Sequence, residues 1–165
     1  MRFLLLTLFT AVLPCITAPT LSEMRNCYQL AAIQKAAAEK LDQLTLNIDG
    51  SAAPVMVAYK GANEMVQAKY VFNPITKLSR FQKGKALLQL AVSRDSLNLE
   101  TRFLRFSIQC NTPSLLNYNS EMAADKRFLM NKSGNCQDKV LKEMIVNYFA
   151  ATNILTVTEL KKIKN

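Results

Sequence analysis

Glu121 and Asp125 stand four residues apart, a spacing that puts two carboxylates on one helical face, as an acid–base pair or a hard-cation site would need. No further ligands cluster beside them in the sequence. Both fall in the first turns of a helix, where the dipole favours negative charge, so a structural role is the expectation. Cys27, Cys110 and Cys136 are the thiols beyond the first twenty residues. An oxidising compartment would permit one disulfide, and Cys110 and Cys136, at a helix end and a helix start, are the pair placed to staple the segment between them. The alternative is three small buried thiols.

A third set is basic. Between Lys77 and Arg105 there are seven Lys or Arg residues against Asp95 and Glu100. Arg80, Lys83 and Arg94 can share one face of a helix, and Arg102 and Arg105 lie on the next one. Such a surface either steers an anionic polymer, a lipid headgroup or an acidic protein, or is a solvated face that keeps the chain soluble. Tyr59, Tyr70 and Tyr118 could stack on bases or sugars, but no nucleic-acid motif surrounds them.

Several chemistries lack their parts. The chain has no His, which removes Ser–His–Asp, Cys–His and His-zinc sites. Gly50, Gly61, Gly84 and Gly134 are isolated, so there is no glycine-rich phosphate loop. Neither a Ser-x-x-Lys pair nor a C-x-x-C pair occurs. No cofactor or metal is expected, and the expectation is a protein that is not an enzyme. An enzyme using carboxylate, Lys or Tyr groups is the rival reading.

These residues must be positioned by elements, and the chain opens with one that is not part of the fold. Arg2, the apolar run from Phe3 to Leu13 and the small or turn-forming residues up to Ser22 follow the plan of a secretory leader. Residues 1–20 are read as that leader, with cleavage between 18 and 22, and residues 21–165 as one domain. Pro14 stands where a lipidated Cys15 would need a small residue before it, so lipoprotein anchoring is not expected. With Arg2 removed, 20 of the 21 basic residues remain against 12 acidic ones, a net charge of about +8. No later stretch is long and apolar enough to span a bilayer.

Helical periodicity dominates the rest. Thr20 and Glu23 have capping-box spacing, and Leu30, Ile33, Ala37, Leu41 and Leu44 continue the pattern, which predicts a helix over 21–44. A second is predicted over 55–72, with Ala58, Ala62, Met65 and Ala68 forming a small-residue face for close packing. Asn73-Pro74 caps and starts a third, running to Arg94. Two apolar stripes on it, Leu78, Phe81, Leu88, Val92 and Leu87, Leu90, Ala91, suggest contacts on two sides and a place at the centre of the fold. Asn98 caps a fourth, with Leu99, Phe103, Phe106 and Cys110 buried and Arg102, Arg105 and Gln109 polar. A fifth covers 120–131, a sixth 137–152, and Thr156 and Glu159 open a short last one.

Gly84, Leu88, Ala91 and Ser96 have the small, large, small and loop spacing of the second helix of a tetratricopeptide repeat. The turn from Asp95 to Glu100 resembles the inter-repeat turn of that family. Arg102 and Arg105 depart from it, standing where the next repeat would place an aromatic residue and Leu, and no second copy repeats the period. The blocks Tyr59-Lys-Gly61, Phe72-Asn-Pro74 and Arg102-Phe-Leu-Arg105 are similar to those of small exported bacterial proteins with no assigned activity. The resemblances imply an all-α array of stacked antiparallel helix pairs, about six helices plus a short C-terminal one, and an exported, periplasmic or extracellular location. The function expected is a binding or scaffold module whose partner is another envelope protein, or else an anionic polymer or lipid surface. Arg80, Lys83, Arg94, Arg102 and Arg105 are the candidate contacts.

Overall fold

The computed structural model describes residues 19–164. The predicted leader, residues 1–20, therefore lies outside the described residues except for Pro19 and Thr20, and so does Cys15. The described chain is all helical: α1 Leu21–Ala31, α2 Lys35–Thr45, α3 Pro54–Gln67, α4 Pro74–Arg94, α5 Leu99–Cys110, α6 Met122–Lys132, α7 Lys139–Thr152 and α8 Val157–Lys164. Short 3-10 turns occupy Ala68–Tyr70 and Ser114–Leu116.

Local chemistry starts most of these helices. The Thr20–Glu23 box is formed in both directions, Thr20 N–H donating to Glu23 Oε2 at 2.9 Å and Glu23 N–H to Thr20 Oγ1 at 3.3 Å. Asn73 Oδ1 accepts from the N–H groups of Ile75 and Thr76, and Asn98 Oδ1 from that of Thr101. Asp138 caps α7 through Leu141 N–H, and Thr156 with Glu159 closes the box on α8. Each of these side chains satisfies an N–H that a helix start leaves open.

The expected helix over 21–44 is two helices. It breaks at residues 32–34, where Ile33 is 77% exposed, and Ala31, Ala38 and Leu41 reach the core on either side of the break. Neither Gly nor Pro marks the place. The carbonyls freed there are taken up by distant donors, Tyr70 Oη to Ala31 O and Lys69 Nζ to Ala32 O, both at 2.6 Å. The second helix likewise ends early, its last turn tightening to 3-10 geometry and leaving Phe72 fully exposed.

The side chains build two cores. Met24, Leu41, Val57, Tyr59, Leu88 and Leu104 belong to the first, and Phe103, Phe106, Leu129, Ile145, Phe149 and Ile163 to the second. Helix α5 serves both, giving Leu104 and Ile108 to one and Phe103 and Phe106 to the other. It is buried nearly all round, including the polar row that the sequence pattern placed outside: Arg105 and Gln109 are buried and Arg102 is half-buried. The centre of the fold is therefore α5 with α3. Helix α4 is an outer helix that buries only Gly84, Leu88, Ala91 and Val92 and leaves Leu78 and Leu90 exposed.

Helices α3 and α4 form the most extensive packing in the molecule, and two glycines set its distance. A Cβ on Gly61 would lie 2.9 Å from Gly84 O. One on Gly84 would lie 2.5 Å from Gly61 O and would also meet Met65 Cγ. Backbones that approach this closely leave no room for a methyl group.

Candidate functional site

The five basic candidates all find partners within the chain, although Lys83 and Arg94 remain exposed. Arg80 and Lys83, one turn apart on α4, hold Glu64 of α3 at 2.8 and 2.6 Å, and Glu64 is buried. Arg94 reaches back over the end of α4 and donates to the carbonyls of Gly50, Ser51 and Ala52. Arg105 grips Asp125 with two bonds, Nε to Oδ2 at 2.7 Å and Nη2 to Oδ1 at 2.8 Å, and Asp125 has no exposed surface. Arg102 Nε stands 2.5 Å from Asp125 Oδ1 without the alignment of a hydrogen bond, and its guanidinium lies over the Phe128 ring.

Glu121 and Asp125 are accordingly divided. Asp125 is the buried counter-ion of two arginines, while Glu121 is about half exposed and 3.9 Å from Arg105. Cys27, Cys110 and Cys136 are all free thiols, so the Cys110–Cys136 bridge is not formed. Among the described residues, no three His, Cys, Asp or Glu side chains converge as a metal site would need, and no helix is long and apolar enough to cross a membrane.

A third ion cluster was not foreseen from the sequence. Arg25 of α1 donates to both oxygens of Glu100 and to Asp138 Oδ2, each at 2.7 Å, and Tyr59 Oη donates to Glu100 Oε1 at 2.5 Å. The signal available was Glu100 itself: it sits three and four residues before Phe103 and Leu104, on the face they bury. A carboxylate on such a face needs an internal cation.

Among the described residues, a concavity crosses the seam between the two cores. One part, about 250 Å³, is bounded by Tyr28, Val66, Phe103, Ser107, Met144 and Tyr148. The adjoining part, about 460 Å³, runs past Met65, Lys69, Lys77, Phe81, Pro113 and Leu116. Ala32, Val66, Ile108 and Asn111 line both, so the two form one continuous cleft. Gln29 and Asn147 stand at its rim, both exposed.

Its polar groups form a chain. Ser107 Oγ donates to Leu104 O at 2.9 Å, so Tyr28 Oη, 2.7 Å away, donates to Ser107. Tyr148 Oη donates to Ser107 O, and Asn111 Nδ2 donates to both Ser107 O and Tyr148 Oη. Burial pushes Tyr28 up to about 12 and raises Tyr148 and the Cys110 thiol as well. At neutral pH these groups are uncharged, and the Ser107 proton is committed to a backbone carbonyl. They can orient a ligand by hydrogen bonds, but they do not activate a nucleophile.

In comparisons with known proteins, the chain matches no family model, no curated protein and no solved structure.

Proposed function

We propose that the chain is an exported recognition module of the cell envelope, its helices stacked as antiparallel pairs in a tetratricopeptide-like manner, which takes an apolar segment of another envelope protein into the cleft. The observation that carries this reading is the continuous apolar cleft on the seam of the two cores, with Gln29, Asn111 and Asn147 around it. Such a cleft offers burial for anchor side chains and a few uncharged groups to fix their orientation. The contacts differ from those expected of the basic row, since Arg80, Arg102 and Arg105 are already paired within the fold.

The test is a photo-crosslinking amino acid introduced at Gln29 or Asn147 and illuminated in the native envelope. A discrete adduct with one envelope protein is expected, lost when Ala32→Trp fills the cleft from its exposed edge. Equal labelling from Ser96, on the α4–α5 turn, or labelling indifferent to Ala32→Trp would overturn the reading.

A further inference from the structure

The outer part of the cleft is lined by Ala32, Lys69, Lys77, Pro113 and Leu116, which sets three chain segments beside it: residues 32–34, residues 71–75 leading into α4, and residues 113–117. Lys69 and Tyr70 tie the second to the first through the carbonyls of Ala32 and Ala31, and Lys77, Pro113 and Leu116 line the same concavity. Each segment carries large apolar side chains in solvent: Ile33 at 77% exposure, Phe72 at 101%, Ile75 at 80% and Leu115 at 89%. Phe72 and Ile75 share one segment, and Ile33 and Leu115 stand on the other two.

The segments beside the cleft carry no carboxylates, and Lys69 and Lys77 flank the second of them. From Met65 to Ser93 the chain has Lys69, Lys77, Arg80, Lys83 and Lys85 and no Asp or Glu, and residues 110–120 contain no carboxylate. On the neighbouring helices, Glu64 is matched by Arg80 and Lys83 and Glu39 of α2 by Lys35, while Asp42 of α2 accepts from Asn63 Nδ2. Lys69 and Lys85 touch only neutral groups, the first a carbonyl and the Tyr70 ring, the second the Tyr118 ring, so both keep an uncompensated charge.

We propose that these segments form a docking surface for an anionic bilayer, with Phe72, Ile75, Leu115 and Ile33 entering the interfacial region and Lys69, Lys77 and Lys85 meeting lipid phosphates. Separate apolar tips among lysines suit a soft interface, which needs depth and negative charge but no matching contour. A protein partner would instead need a complementary surface for four dispersed side chains. Membrane contact through these tips is separate from the binding of a protein segment between Tyr28, Phe103 and Tyr148. The chain would lie on the membrane and not span it.

The experiment is flotation of the mature protein with vesicles of phosphatidylcholine alone or mixed with phosphatidylglycerol. Binding to the mixed vesicles only is expected, weakening steeply with added salt. Phe72→Glu and Leu115→Glu alter exposed side chains and should leave the far-UV circular dichroism unchanged while lowering partitioning about tenfold or more. Lys77→Glu should cost at least about fivefold, and Lys161→Glu on α8 no more than about twofold. Equal binding to both vesicle types, no binding to either, or equal effects of Lys77→Glu and Lys161→Glu would overturn the proposal. Cleft adducts that persist in Phe72→Glu separate this outcome from a failure of the recognition reading.

Discussion

Asp125 shows how a carboxylate in this chain is held. It has no contact with solvent, and its charge is tolerated because Arg105 binds both oxygens and Arg102 stands beside it. Removing one member of a buried ion cluster leaves the others desolvated without compensation, which costs about 3–5 kcal/mol. Asp125→Ala is therefore expected to lower stability by that amount in chemical denaturation, whereas a surface carboxylate would change it by less than about 1 kcal/mol. A small effect would mean that the arginines turn outward and meet solvent. The same geometry explains why the sequence misled on these residues: Arg80, Lys83, Arg102 and Arg105 read as an exposed basic row. Their partners Glu64 and Asp125 are 16 to 23 positions away, and only the fold brings them together.

At the scale of elements, the α3–α4 pair depends on two residues without side chains. Ala is ordinarily a better helix former than Gly by about 1 kcal/mol, so Gly84→Ala would stabilise an isolated α4. Here the added methyl meets Met65 Cγ and the Gly61 carbonyl inside van der Waals distance. Met65 can swing aside, but the carbonyl is backbone, so the helices must separate. Overpacking of this kind costs about 1–3 kcal/mol and should prevail over the propensity gain. Thermal unfolding of Gly84→Ala at a lower midpoint than the parent protein is the expected result, and a higher midpoint would show that the helices are free to slide. Where local chemistry sets an element, the sequence was enough: Asn73-Pro74 and Asn98 placed the starts of α4 and α5. Where a distant group sets it, the sequence was silent. The break at residues 32–34 depends on Lys69 and Tyr70 capturing two carbonyls, and nothing in an Ala-rich run announces that. The cleft was illegible for the same reason, because Tyr28, Val66, Ser107 and Tyr148 meet only through tertiary packing.

For the whole molecule, the decisive element is α5, which belongs to both cores, and the decisive contact is the cluster at its first turn. Arg25 comes from α1 and Tyr59 from α3, Glu100 begins α5, and Asp138 caps α7, so one ion cluster fastens the first core to the second. Asp138 is its one half-exposed member. Its carboxyl is held below the usual aspartate range, first by the Arg25 hydrogen bond and then by the N–H of Leu141. A carboxylate depressed in the folded state stabilises above its unfolded pKa of about 3.9, and that contribution is lost as pH falls through the lower folded value. Stability should therefore decline between about pH 5 and pH 3, less steeply in Asp138→Asn, where the amide can still cap α7 but no longer titrates. Because the cluster and α5 are common to both cores, loss of near-UV tyrosine signal and of far-UV helical signal should coincide along the acid titration. Two separated transitions would mean that the cores unfold independently and that α5 is a linker instead of a shared wall.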